Sequence, residues 1–337
     1  MSIDISTQYL GLKLANPVVV SACPLTGELD VLRKLADFGA AAVVLPSLFE
    51  EQLKEGGREG ALSCTAEELP IIEPLAHFHS LKHYNRGPAD YLRHLEASKK
   101  AVSIPIIGSL NVTGPGEATR YARRIQEAGA DAMEVNIYFL ATDPETTSQE
   151  IESRYVELVA AVRNEVKIPV AVKISPFFTS LPNFVRRVVD AGANGVVLFN
   201  RFLQPDIDLD RMQVCPRLAL SSSEELRLSL RWIALLYGRI HTSFAATSGV
   251  HFADDVIKVL LAGADVAMVA STLYRHGVEV LPTLIEGVSS WAEANDFPSV
   301  ERIKGTLSQR RCPDPAVFER ANYTKALASF LNETEAV

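Results

Sequence analysis

A lysine closes an apolar run near the middle of the chain, Val170-Ala171-Val172-Lys173. Buried lysine is rare unless it is paired. Three partners would justify it: the N1/O2 edge of a reduced flavin, a substrate carboxylate, or Glu134 in a structural ion pair. A Schiff base is its other catalytic use. Asn111, Asn136 and Asn200 stand at the ends of similar apolar runs. Asparagine is depleted in strands. Three at one face read as amide donors and acceptors around a heterocycle, whereas each alone reads as a turn residue. Two phrases of small residues, Thr247-Ser248-Gly249 and Ala270-Ser271-Thr272, come later. Each is expected to open a helix, whose free N–H groups bind phosphate. Ordinary capping by Ser and Thr is the plainer reading. Arg201, next to Asn200, could grip a substrate carboxylate bidentately or be an exposed loop arginine.

These residues need elements to position them, and one recurring phrase supplies the elements. Phe38-Gly39-Ala40, Ala128-Gly129-Ala130-Asp131, Ala191-Gly192-Ala193-Asn194 and Ala262-Gly263-Ala264-Asp265 each follow a helical pattern and precede a short apolar run. Physically this is a helix stopped by glycine in a left-handed conformation, then a buried strand. One further strand signal falls inside each of the three intervals and one precedes the first phrase, giving eight strands near 17–21, 41–46, 104–108, 131–136, 168–174, 194–199, 240–246 and 265–269. Helical patterns fall between them, among them 116–128, 150–165 and 254–262. Eight continuously apolar strands alternating with helices predict an α/β fold, a (β/α)8 TIM barrel in a single domain over 1–337. A doubly wound sheet is the competitor, but no GxGxxG turn follows an early strand. Residues 47–88 and 200–222 are long loops on the catalytic face. Residues 1–16 read as a strand and turn plugging the opposite end, and 298–331 as a helical tail.

The 337 residues carry 33 basic and 41 acidic side chains, a net charge of −8, which argues against nucleic-acid and anionic-membrane partners. The four cysteines, Cys23, Cys64, Cys215 and Cys312, are scattered, so neither a disulfide framework nor a metal site is signalled. No secretory signal or membrane span is readable, and a cytoplasmic protein is expected.

At this point the chain resembles the dihydroorotate dehydrogenase family of FMN-dependent barrels. The carriers are Leu14-Ala15-Asn16-Pro17 leading to Ser21-Ala22, Met133-Glu134-Val135-Asn136, Pro169 to Pro176 around Lys173, Thr247-Ser248-Gly249-Val250 and Ala270-Ser271-Thr272. The resemblance implies FMN as cofactor. It places Ser21, Ala22, Asn111, Asn136, Lys173, Asn200, Ser248, Gly249, Ser271 and Thr272 around FMN, with the phosphate over Gly249 and Ser271-Thr272. It implies catalytic roles for Lys173 and Asn136, and a small dihydroorotate-like substrate near Asn136 and Asn200, beside which Arg201 is the candidate carboxylate grip. It also implies a homodimer, with any iron–sulfur centre on a redox partner subunit.

The sequence departs from that family pattern around the substrate. The Cys or Ser base expected shortly after the strand-4 asparagine is Phe139, which cannot accept a proton. Ala141 replaces a substrate-holding asparagine, Pro46 a strand-2 lysine, and Leu220 to Glu225 a glycine-rich loop. General-base catalysis is worth about 10²–10⁴ in rate. The implied outcome is a retained flavin and a changed substrate. Tyr138, Cys23 and His83 are the candidate substitute bases, His83 within a cluster of His79, His83, Tyr84, Asn85 and Arg86. Two other functions fit the same residues: a flavin-free lyase or aldolase with Lys173 as Schiff base, and a non-catalytic barrel that binds a flavin or nucleotide.

Overall fold

A computed structural model describes residues 3–54, 87–201, 204–215, 218–320, 322–324 and 327–328. Eight parallel strands close into a barrel: β1 (Val18–Val20), β2 (Ala42–Val44), β3 (Ile106–Val112), β4 (Ala132–Ile137), β5 (Val170–Ile174), β6 (Gly195–Leu198), β7 (Ser243–Thr247) and β8 (Val266–Val269). Each pairs with the next in sequence, β8 pairs with β1, and no edge is left among them. The expected (β/α)8 barrel is therefore the observed fold.

Two strand boundaries differ from expectation by three residues or more. β3 runs on to Val112 because it pairs with β4 as far as Ile137, so Ser109 and Asn111 lie within the strand rather than after it. β7 begins at Ser243, because the backbone before it is still turning: Ile240 N–H donates to Leu236 O, and Gly238 has φ +72°.

The recurring Gly-Ala phrase has a second physical role. Its glycines Gly39, Gly129, Gly192 and Gly263 all have positive φ, as helix stops require. The polar residue two positions on then reaches back to the preceding strand. Asp131 Oδ2 accepts from Ile106 N (2.7 Å), Asn194 Oδ1 from Val170 N (2.9 Å) and Asp265 Oδ2 from Phe244 N (2.8 Å). Each bond fixes the foot of one strand against the start of the next.

Alternate strand residues face two apolar regions. Val20, Val43, Val135, Val172 and Val196 pack outward under the helices. Val19, Ala42, Ile107, Ala132, Ala171, Val197 and Ala245 fill the barrel, with Tyr9, Leu10 and Leu14 among them. The last three belong to a hairpin, Thr7–Tyr9 and Leu12–Leu14, that seals the amino-terminal end. Small barrel residues make room for it. A Cβ on Gly195 would lie 2.5 Å from Leu10 Cδ2, so glycine there lets the plug enter.

A second hairpin, Asp206–Asp208 with Gln213–Cys215, occupies the loop after β6. The tail carries helical turns at Val300–Ile303 and Pro315–Phe318, with helical residues at 322–324 and 327–328.

Candidate active site

The carboxyl ends of the strands bring the sequence-predicted residues together. Asn111 pairs with Asn136 across β3 and β4, and Asn136 with Lys173 across β4 and β5, so the three form one row. Lys173 is 7% exposed, and its Nζ lies 3.3 Å from Ser21 Oγ and 3.4 Å from Glu134 Oε1. Ser21 N–H donates to Val269 O, which fixes that hydroxyl where β1 meets β8. Ala22 follows it, half-buried against the barrel interior. One layer deeper, Ser109 pairs with Glu134 in the sheet register. Tyr91, from helix Pro88–Ala101, anchors this layer: its hydroxyl accepts from Ser109 N (2.7 Å) and donates to Ser109 O (3.2 Å). Burial pushes the Tyr91 phenol far above its usual range.

Among the described residues three buried polar atoms here have no partner: Glu134 Oε2, Asn136 Oδ1 and Asn200 Nδ2. Such orphans are rare in folded proteins, and each costs about 1–3 kcal/mol. Asn200 sits beside the same lysine strand, its N–H donating to Ile174 O. One unpaired amide donor and one unpaired amide acceptor therefore flank Lys173. They suit a planar polar group that carries both donors and acceptors on its edges.

The loops after β7 and β8 also converge, and only the second opens a helix directly, as expected. The helix after β7 begins at Ala253, four residues beyond Gly249, and the helix Ser271–His276 begins at once. Neither Ser248 nor Ser271 is a helix cap. Both small-residue loops instead meet Ser221, from the segment after β6. Ser221 N–H donates to Ser271 Oγ (3.1 Å), and Ser221 Oγ accepts from Gly249 N (3.2 Å). Its hydroxyl also lies 3.3 Å from His251 Nε2, and Arg275 donates to its carbonyl. Thr272 Oγ1 donates to His251 O. Asp255 Oδ2 ties the same loops together, accepting from His251 N, Phe252 N and Ser223 Oγ. Burial, then the positive Arg275, holds the His251 imidazole below its usual pKa. Ser248 and Gly249 both take positive φ in this clasp.

The residue that stands where the family resemblance expects a base is apolar and partly buried. Phe139 is half-buried, and the Arg154 guanidinium lies 5.6 Å from its ring centroid. Tyr138, beside it, is half-buried. Burial pushes the Cys23 thiol up to about 11, so it carries little thiolate near neutrality. The cluster of His79, His83, Tyr84, Asn85 and Arg86 lies outside the described residues. Arg201, expected to take a substrate carboxylate, pairs with Glu225 at 3.1 Å and also donates to Ala219 O. Its guanidinium here braces the loop after β6.

Ser221, His251 and Tyr91 escaped sequence reasoning as site residues. Ser221 had a signal, since it lies in the stretch that replaces the glycine-rich loop. Tyr91 had none, because only packing of its helix brings it beneath Ser109.

The family model described as dihydroorotate dehydrogenase matches residues 4–291. An Aeropyrum pernix protein named for dihydroorotate dehydrogenase A (fumarate) is 27% identical over 314 residues, covering 90% of this chain and 97% of that one. The catalytic subunit of dihydroorotate dehydrogenase B (NAD(+)) from Thermoplasma volcanium is 23% identical over 321 residues, covering 91% and 99%. The corresponding Pyrococcus abyssi subunit is 24% identical, covering 89% and 98%. With the barrel, the strand-end residues and a match over most of its length, the chain belongs to the dihydroorotate dehydrogenase family, as a divergent member.

Proposed function

We propose that the protein is an FMN-dependent oxidoreductase that oxidises a CH–CH bond in a dihydropyrimidine-like substrate. The observation that carries this reading is the pair of orphaned amide atoms, Asn136 Oδ1 and Asn200 Nδ2, flanking buried Lys173. A flavin ring presents matching donors and acceptors. Lys173, Asn111, Asn136, Asn200, Ser21 and Ala22 would hold the ring. Ser248, Gly249, Ser271 and Thr272 would hold the phosphate, with Ser221 at the same place. Bound flavin supplies a hydride acceptor. Lys173 contributes positive charge at the strand ends, and Asn136 orients the substrate. The buried apolar walls exclude water.

The substrate is expected to differ from dihydroorotate. Phe139 offers no proton acceptor where the family resemblance expects a base. Leu140 is 64% exposed and Phe177 75% exposed, on the loops after β4 and β5. They give the mouth an apolar rim, which suits a substrate more apolar than a pyrimidine carboxylate. A redox partner subunit is part of this reading, since several relatives are named as catalytic subunits. So are a homodimer and a cytoplasmic location. No helix among the described residues is long and apolar enough to cross a membrane.

The test is direct. Purified protein should show the visible flavin spectrum and release FMN on denaturation. Under anaerobic conditions dihydroorotate should bleach it slowly, and Phe139→Cys should raise that rate by about 10²–10⁴ if only the base is missing. A colourless protein that takes up no FMN on titration would overturn the reading. Rapid wild-type reduction by dihydroorotate, not improved in Phe139→Cys, would overturn the changed substrate.

A further inference from the structure

We propose that Glu134 sets the charge that Lys173 presents at the barrel mouth, and so tunes the reduction potential of the flavin bound there. This inference rests on the flavin reading above. The two side chains form an ion pair at 3.4 Å, with Glu134 1% exposed and Lys173 7% exposed. Salt screens such a buried pair far less than a surface one.

The pair is also oriented. Lys173 lies in the register row of Asn111 and Asn136, whereas Glu134 lies two residues earlier on β4, level with Ser109 and Ala171. Two strand residues span roughly 6.6 Å along the barrel. The positive end of the pair therefore faces the mouth, and the negative end faces inward, toward the plug.

Glu134 is poorly held for a residue with a purely structural task. Among the described residues its Oε1 meets only Lys173, and its Oε2 has no partner. A buried ion pair kept for stability needs hydrogen bonds to its remaining lone pairs. The nearby hydroxyls do not provide them. Tyr91 is committed to the Ser109 backbone, and the Tyr9 hydroxyl, whose pKa burial and the Glu134 charge raise, has no partner either. The carboxylate thus sits under-solvated beneath the one buried cation of the row. Its clearest physical consequence is to cancel much of that cation's field.

Reducing a flavin adds negative charge to its N1/O2 edge, so an unopposed cation beside that edge favours the reduced form. Glu134→Gln keeps the shape and removes the opposing charge. It should tighten binding of reduced over oxidised FMN by about tenfold, which is a rise of about 30 mV for a two-electron couple. Lys173→Met should shift the potential the other way, because it leaves the carboxylate alone. The double variant Glu134→Gln/Lys173→Met buries no charge and should return most of the way to the wild-type value.

The experiment equilibrates each FMN-loaded protein with a reference dye and reads the midpoint potential, after FMN titration of the apo-protein establishes binding. Opposite shifts in the single variants that largely cancel in the double variant support the proposal. A Glu134→Gln potential equal to or below that of the wild type overturns it. If Glu134→Gln does not fold, the double variant against Lys173→Met carries the test. A double variant about tenfold higher in relative affinity for reduced FMN supports the proposal, and equality overturns it. If wild-type protein binds no FMN at all, the functional reading itself has failed, which is a separate result.

Discussion

Gly249 offers a sharp test of how the loop after β6 closes over the loops after β7 and β8. In Gly249→Ala the new Cβ would lie 2.5 Å from Leu226 N, 2.9 Å from Ser222 O and 3.0 Å from Leu226 Cα. All three are backbone atoms, so no side chain can swing aside. The residue also has φ +80°, where a side chain costs about 1–2 kcal/mol. Overpacking adds about 1–3 kcal/mol. Displacing the loop breaks the bond from Gly249 N to Ser221 Oγ, worth roughly 0.5–1.5 kcal/mol. One displacement relieves part of each penalty, so the total is about 3 kcal/mol rather than their full sum. In a domain of this size about 3 kcal/mol lowers Tm by roughly 4 °C. Far-UV circular dichroism melts of the flavin-free protein measure this directly. The control is Gly116→Ala in helix Pro115–Glu127, where nothing lies within 4 Å of the new Cβ. That substitution should be neutral or stabilising by up to about 1 kcal/mol. A Gly249→Ala melt within about 2 °C of wild type would refute the clasp between these loops.

Three further outcomes follow from other parts of the fold. Leu10→Ala should destabilise by about 2–5 kcal/mol in urea titrations. Because Leu10 and Gly195 share one space, Gly195→Ala should harm the Leu10→Ala background less than the wild type. Cys23 should alkylate at pH 8 at least about 100-fold more slowly than half-buried Cys215 or Cys312, read by peptide mass spectrometry. Its folded pKa is raised, so the stability it contributes is present below about pH 8.5 and is lost as pH climbs toward about 11. His251 runs the opposite way. Its folded pKa is depressed by burial and by Arg275, so its contribution is present above about pH 6.5 and falls as the solution is acidified. His251→Gln should flatten the acid side of a pH series of urea midpoints by up to about 1.4 kcal/mol per pH unit.

The sequence by itself determined the barrel, because its signals are local. A glycine that stops a helix, an apolar run two residues later, and an Asp or Asn between them repeat whatever the distant residues do. The strand ends followed, and with them Asn111, Asn136, Lys173, Gly249 and Ser271, since strand direction decides which end carries loops. That Phe139 stands where the family resemblance expects a base was also readable, because it is a matter of residue type at one offset.

What only the tertiary structure decided concerns contacts between segments far apart in the chain. Ser221 reaches Ser271 across 50 positions, and Tyr91 reaches Ser109 from a helix with no catalytic signal. Arg201 was free to face a substrate on sequence grounds, but the fold turns it to Glu225. Lys173 allowed either a cofactor or a glutamate as partner. The structure shows Glu134 at 3.4 Å while leaving the amides beside it unpaired. Periodicity reports which face of an element is buried. It carries no information about what a buried polar atom meets, because that depends on the register between strands and the path of loops, which close only when the whole barrel does.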